Sequence, residues 1–378
     1  MTARDPSGVI AFDTGPLGAG TQFSDPVDLI EAWQPEEVAQ AFDRLERATA
    51  RGQWLAGTLS YELGYALVPV LADRMPARRD APLLRFGVYD APHALPDRSS
   101  QGTGRLGSFT PDWTLERYRD AFDAVHGFLG QGDIYQANLT FPMFADWSGC
   151  PFDLYDRLRA RQPVPHGAFV DLGGQIALSR SPELFFSVST SGTMRTRPMK
   201  GTRPRSRDAR QDKRLRDQLI AAEKDRAENL MITDLLRNDL SRISITGSVR
   251  VPMLFEVESY ATVHQMVSEV VSDRRANVGL QDTLTALFPC GSITGAPKIR
   301  AMQILSELED APRGLYCGAI GWIAPDGSMA FNVAIRTILL DPNGRARLNV
   351  GGGIVYDSTA LSEFQEARLK ATFADLGD

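Results

Sequence analysis

The sequence predicts an α+β protein in which antiparallel sheets pack together and are flanked by helices. Three observations lead there. Strand-like and helix-like segments come in blocks and do not alternate strictly, which disfavours a doubly wound sheet. Late strands are joined by the short turn signals "PDGS" and "DPNG". The chain of 378 residues, 43% hydrophobic and 23% charged, is long enough to bury a substantial core, and it shows no internal repeat.

The elements follow in order. Val38, Phe42 and Leu45 fall at helical spacing, and the helix ends near Gly52. "WLAGTLSYELGYALV" then reads as sheet. Residues 91–112, rich in Pro, Gly and Ser, read as a linker or long loop, dividing an N-terminal subdomain (1–112) from a catalytic region (113–378). Tyr118, Phe122, Val125 and Leu129 mark an amphipathic helix stopped by Gly130 and Gly132. "DIYQANLTFPMF", "GAFVDL", "QIALS", "ELFFSVST" and "TMRTRPMK" read as strands. A long helical region spans about 208–243, with Leu215, Leu219, Ala227, Leu230, Leu235 and Leu240 toward the core. "YCGAIGWIA", "MAFNVAIRTILL" and "ARLNVGGGIV" are antiparallel strands, and a helix over 358–375 follows them.

Composition excludes several function classes. A net charge of −6 argues against general nucleic-acid binding, and the one basic run, from Arg195 to Arg216, lacks interleaved aromatics. Cys150, Cys290 and Cys317 lie far apart, with neither a disulfide framework nor zinc-ligand spacing. No apolar run is long enough to span a bilayer, and the N-terminus has no apolar signal core. A cytoplasmic protein is expected.

The basic run holds the first chemical signal, "RPMKGTRPR" (197–205). The chain has five lysines, Lys200, Lys213, Lys224, Lys298 and Lys370, and elsewhere carries its positive charge on arginine. An ammonium can shed its proton and attack as a nucleophile; a guanidinium cannot. Arg195, Arg197, Arg203 and Arg205 would disfavour the charged form of Lys200. A two-residue turn at Ser191-Gly192 would place Glu183 directly opposite Lys200, at about 5 Å between Cβ atoms. A carboxylate there is able to exchange protons beside the amine, although a plain cross-strand ion pair is the commoner fate of such neighbours.

Carboxylates at helical spacing are the second signal. Glu363, Glu366 and Lys370 share one helix face, and Asp225 and Glu228 lie three apart on another helix. Two such pairs suit a hard, oxygen-seeking cation such as Mg²⁺; a surface i, i+4 pair between Glu366 and Lys370 is the blander reading. Upstream, Gly351, Gly352 and Gly353 in "GGGIVYDS" let backbone amides approach an anion. "GSITGAPK" (291–298) lacks P-loop spacing, so nucleotide binding is rejected. A turn presenting Thr294 and Lys298 to a different anion stays open.

These blocks stand in the order found in the chorismate-utilising enzymes: "GDIYQANLT", "SRSPELFF", "RPMKGTRPR", "AENLMITDLLRNDL", "VHQMVSEV", "FPCGSITGAPKIRAM", "YCGAIGW", "AIRT", "GGGIVYDS" and "EFQEARLKA". The chain resembles that family over about residues 113–375. Within it, the chain is most similar to the component I branch that makes 4-amino-4-deoxychorismate, and next to anthranilate synthase component I. The resemblance implies that Glu228 and Glu366 hold Mg²⁺ directly, with Asp225 and Glu363 acting through water. It implies that the metal and the Gly351–Gly353 amides take the ring carboxylate of chorismate. Arg336 and Tyr316 would take the enolpyruvyl carboxylate, with Lys370 nearby. His264 and Thr294 would lie near the ring hydroxyl, Glu183 would be the general acid, and Lys200 the nucleophile. Family members that add water carry a lysine where this chain has Gln136, so isochorismate or salicylate synthesis is disfavoured. Anthranilate synthases resemble "PIAGT" where this chain has "PMKGT", which makes Lys200 the discriminating residue. Ammonia would come from a separate glutamine amidotransferase, and the product would serve 4-aminobenzoate and folate synthesis. Members with a tryptophan pocket resemble "LLES"; here "LIEA" (29–32) lacks the serine. From another class, a non-catalytic anion-binding regulatory subunit is the alternative, and the complete set of acid, lysine and carboxylates argues against it.

Overall fold

The computed structural model describes residues 8–96, 102–260 and 263–377. Strands reach two sheets from the start of the chain. β1 (Val9–Gly15) and β2 (Gly18–Phe23) enter the first sheet. β3 (Asp28–Ala32), β4 (Trp54–Leu59) and β5 (Leu84–Tyr89) enter the second, interrupted by α1 (Val38–Ala50) and α2 (Leu63–Leu67). The two-residue strands β6 (His93–Ala94), β7 (Arg105–Leu106) and β8 (Thr110–Pro111) lie in the expected linker, of which residues 97–101 fall outside the described residues.

α3 (Leu115–Gly130), N-capped by Thr114, leads to the long β9 (Gln136–Ser148), then to α4 (Pro151–Arg161), β10 (His166–Asp171) and β11 (Ile176–Ser181). β12 (Leu184–Val188), β13 (Thr193–Thr196) and β14 (Met199–Pro204) cross into the second sheet. α5 (Ala209–Ala221) and α6 (Glu223–Ser241) pack on β14 and β16 (Val263–Asp273), the strand that follows β15 (Arg250–Ser259). After α7 (Leu280–Leu287) come β17 (Gly295–Ala296), α8 (Lys298–Leu308), β18 (Ala319–Ile323) and β19 (Met329–Val333). β20 (Thr337–Leu340), β21 (Arg345–Ile354) and α9 (Ala360–Leu369) follow.

The first sheet runs β17-β9-β21-β20-β11-β10-β1-β2-β6, with β7 and β8 also on β9. The second runs β14-β16-β13-β12-β19-β18-β4-β5-β3, with β15 on β16. All the pairings are antiparallel. Ile10, Phe12, Phe23, Tyr89, Val170, Ile320 and Leu339 form a core between the sheets. α1, α2, α6 and α7 cover the second sheet, and α3, α4, α8 and α9 cover the first. β1 pairs with β10 and β4 with β18, so the strands on either side of residue 112 share both sheets.

Several local expectations change. "SYELGYALV" forms a turn and α2 instead of continuing β4, because Glu62 turns inward to accept the amides of Arg313 and Gly314. "MAFNVAIRTILL" is two strands in different sheets, broken at Ala334–Arg336, where Arg336 takes φ +49. The long helix breaks at Ala222 (φ −71, ψ 106). Leu219 and Leu240 are buried, but Leu230 is 45% exposed and Ala227 also faces out, because Asn229, Ile232, Thr233 and Leu236 form the inner face of α6. The last helix starts at Ala360 and ends at Leu369, and a short 3-10 turn occupies Thr372–Ala374.

Candidate active site

Glu183 stands just before β12 and is 4% exposed. Burial raises its carboxyl to about 7, opposed by a hydrogen bond from Ser292 and by the charges of Lys200 and Arg336. Its Oε1 has no hydrogen-bond partner. Arg336 sits at the corner where β19 leaves one sheet and β20 joins the other, a left-handed conformation rare for a residue with a side chain. Burial disfavours its charge, and its guanidinium makes no hydrogen bond or ion pair among the described residues. An unpaired guanidinium beside an acid is a ready carboxylate receptor.

Lys200 comes to Glu183 by a route other than the expected hairpin. Between β12 and β13, Ser189 N donates to Thr193 O (2.9 Å), which leaves a three-residue turn, Thr190 to Gly192, with Gly192 at φ +83. Ser187 therefore faces Arg195, one residue off the expected register. Pro198, which has no amide to donate, separates β13 from β14, and Lys200 lies on β14, which pairs with β16. The arginines are not a cluster of free charge: Arg195 and Arg197 pair with Glu269, Arg203 with Asp225, and Arg205 with Asp212. Lys200 instead acts electrostatically on Glu183, Glu228 and Glu366.

The four helix-borne carboxylates differ in their partners. Asp225 accepts from Arg203 (2.7 Å), Glu363 from Ser358 Oγ (2.6 Å), and Glu366 pairs with Lys370 (2.9 Å). Glu228 has no hydrogen-bond or ion-pair partner among the described residues. Burial raises Glu228, with Lys200 and Lys224 opposing and Asp225 and Glu363 adding to the rise. Burial likewise raises Glu363, whereas the Lys370 charge lowers Glu366. Among the described residues no three His, Cys, Asp or Glu side chains are drawn into a preformed metal cage. The donor set is all carboxylate oxygen, mutually repelling, with Glu228 unpaired. That fits a hard cation which keeps waters and takes further oxygens from a substrate.

Gly351 to Gly353 lie in β21 and pair with Thr140, Leu139 and Asn138 of β9, so they are strand and not loop. β20 pairs only as far as Leu348. Lys370 Nζ donates to Gly351 O at 2.9 Å. A Cβ on Gly352 would stand 3.2 Å from Glu363 Oε2, so the glycine leaves room for that carboxylate. Gly353 packs against Gln136, whose Nε2 is buried without a partner.

The remaining expected residues are placed as follows. Thr294 is buried, and its hydroxyl donates to Cys290 O and Gly291 O. Tyr316 is buried beside Cys317, and burial raises its phenol. His264 has both ring nitrogens engaged, with Ser259 Oγ (2.8 Å) and Asp212 Oδ1 (3.1 Å), neither of which belongs to the carboxylate group. Lys298 is consumed by Asp239 (2.7 Å) and Leu287 O, so it presents no charge to an anion. Two residues escaped sequence reasoning. Lys224 acts on Glu228, Glu363 and Glu366, and its i, i+4 spacing to Glu228 is a signal that was there to read. Ser292, beside Glu183, has no such local signal.

Comparison with known proteins places the chain in a family. Residues 91–374 match the chorismate binding enzyme family. Aminodeoxychorismate synthase component 1 of Escherichia coli (strain K12) is 43% identical over 263 residues, 68% of this chain and 58% of that protein. Anthranilate synthase component 1 of Aquifex aeolicus (strain VF5) is 38% identical over 260 residues, 69% of this chain and 52% of that protein. The chain thus spans little more than half the length of these relatives. The crystal structure of anthranilate synthase component I from Streptococcus pneumoniae TIGR4 superposes with a TM-score of 0.80 at 27% identity, covering 99% of this chain and 94% of that one.

Proposed function

Because this chain belongs to the chorismate binding enzyme family, we propose that it converts chorismate and ammonia to 4-amino-4-deoxychorismate, as the component I of an aminodeoxychorismate synthase. A glutamine amidotransferase would supply the ammonia. The observation that carries the reading is a buried Glu183, its carboxyl raised to about 7, within electrostatic reach of Lys200.

The residues have separable tasks. Arg336 and Tyr316 receive the enolpyruvyl carboxylate. Lys200 Nζ adds to ring carbon 2 as the hydroxyl leaves carbon 4, and Glu183 gives that oxygen its proton. Ammonia then bonds to carbon 4 and the lysine departs. Glu183 suits this task because an acid near 7 keeps its proton at neutral pH yet releases it readily. Glu228 and Glu366 would hold Mg²⁺, with Asp225 and Glu363 around it; when bound, the ion supplies positive charge to the ring carboxylate. Gln136 cannot deprotonate water, which supports amination over hydration. The runner-up, anthranilate synthesis, has support in the Aquifex relative, and Lys200 weighs against it.

Product identification separates the readings. Protein supplied with chorismate, ammonium and Mg²⁺ is expected to yield an aminated product that retains its enolpyruvyl group. Anthranilate with pyruvate would establish the runner-up. Isochorismate or salicylate without ammonia would overturn the role given to Gln136.

A further inference from the structure

Arg313 is 2% exposed, and none of its hydrogen bonds goes to Glu183, Lys200, Arg336 or the four carboxylates. Its Nε and Nη2 form a fork on Glu309 (both 2.8 Å), four residues earlier. Its plane lies over the Tyr61 ring at 4.4 Å. Two further N–H groups go to carbonyls in different parts of the fold: Nη1 to Ile293 O (3.0 Å) and Nη2 to Asn138 O (2.7 Å). A buried ion pair contributes little to stability compared with apolar residues of the same size. What this one adds is direction, because a planar guanidinium fixes the angle between the groups it bonds.

Those two carbonyls belong to the site's frame. Ile293 lies between Ser292 and Thr294, and Thr294 O takes the amide of Asn138 at 3.0 Å. Asn138 faces Gly353 across the sheet. Arg313 therefore clamps the 291–294 turn to β9 without bonding Glu183, Lys200 or Arg336, although its charge also acts on Tyr316. Ser292, carried by that turn, is 4% exposed; its Oγ meets Cys290 Sγ at 3.3 Å, and it acts electrostatically on Glu183.

We infer that Arg313 is a positioning residue, holding the 291–294 turn so that the Ser292 hydroxyl stays beside Glu183, where it can donate to the carboxylate. The inference rests on the reading of Glu183 as the acid. The groups facing Glu183 are Lys200 from β14, Arg336 from the β19–β20 corner, and Cys290 and Ser292 from the turn. Only the last two move with the clamp. A hydroxyl donating to a carboxylate favours its ionised form, so losing it raises the pH at which Glu183 gives up its proton.

The test is kcat/KM for chorismate against pH, at constant free ammonia, in wild type, Ser292→Ala and Arg313→Lys. The high-pH limb, where the protonated acid is lost, is expected to move up by about one pH unit in Ser292→Ala. Arg313→Lys is expected to move it the same way, because lysine keeps the charge but loses the fork. If Arg313→Lys does not fold, Tyr61→Leu, which removes the ring under the guanidinium, takes its place. A limb that stays at its wild-type position in the clamp variant, whatever the rate, reduces Arg313 to a packing role. A limb unmoved in Ser292→Ala overturns the inference at its other end. Wild type that leaves chorismate unchanged overturns the functional reading as well, an outcome distinct from both.

Discussion

Glu183 and Glu366 are carboxylates of one site, yet burial lifts the first to about 7 while the Lys370 charge holds the second below its ordinary value. The difference follows from what carries them. Glu183 stands at a strand end, closed in by the 291–294 turn and the β19–β20 corner, where water cannot solvate a charge. Glu366 lies on the exposed side of α9, where a cation one turn away stays within reach. Strand ends and sheet corners thus build a dry pocket for proton and bond chemistry. Helix faces build a rim of several carboxylates, where burial raises Glu228 and Glu363 while Lys370 keeps Glu366 charged, an arrangement suited to holding a cation. In both places a group lacks a hydrogen-bond partner among the described residues: Glu183 Oε1 at the dry end and Glu228 at the rim.

The largest expected effect is at the rim. Glu228→Gln and Glu366→Gln keep size while removing charge, so turnover in Mg²⁺ should fall by orders of magnitude with folding, read by circular dichroism, intact. Near-normal turnover at low Mg²⁺ in both would make them ordinary surface carboxylates and erase the contrast between the two ends.

At the dry end, Glu183→Gln removes the proposed proton donor and is expected to lower kcat by roughly 10²- to 10⁴-fold. The wild-type profile sharpens the point. The acid works when protonated, and its pKa is raised, so activity should be full below about pH 7 and fall as pH rises through about 7. A profile flat from pH 6 to 8.5 at constant free ammonia would remove Glu183 from the acid role. A smaller effect separates rim groups from one another. Ser358→Ala frees Glu363 from its 2.6 Å hydrogen bond, and apparent Mg²⁺ affinity is expected to weaken about tenfold with little change in kcat at saturating metal.

The same contrast governed what the sequence made legible. Asp225 with Glu228, and Glu363 with Glu366, stood out because helical spacing is local and needs no knowledge of distant strands. The dry end depends on register and on which sheet a strand joins. One extra loop residue and the break at Pro198 defeated the pairing argued for Glu183 and Lys200, although β14 brings the two within electrostatic reach by another path. The split of "MAFNVAIRTILL" at Arg336 was invisible for a similar reason: apolar residues run through it, and only tertiary packing makes the chain change sheets there. Ser292 and Arg313 act through contacts between segments far apart in sequence, and no local pattern announces them.

In the proposed mechanism the dry end makes and breaks the bonds, with Lys200 as nucleophile. That mechanism is tested most directly by incubating the protein with chorismate and Mg²⁺ but no ammonia, quenching, and mapping peptide masses. A covalent adduct is expected on the peptide containing Lys200, absent in Lys200→Ala, which should still bind chorismate yet aminate it far more slowly. Wild-type protein with no adduct, together with a Lys200→Ala variant that aminates chorismate at the wild-type rate, would contradict it and leave direct attack by ammonia as the mechanism.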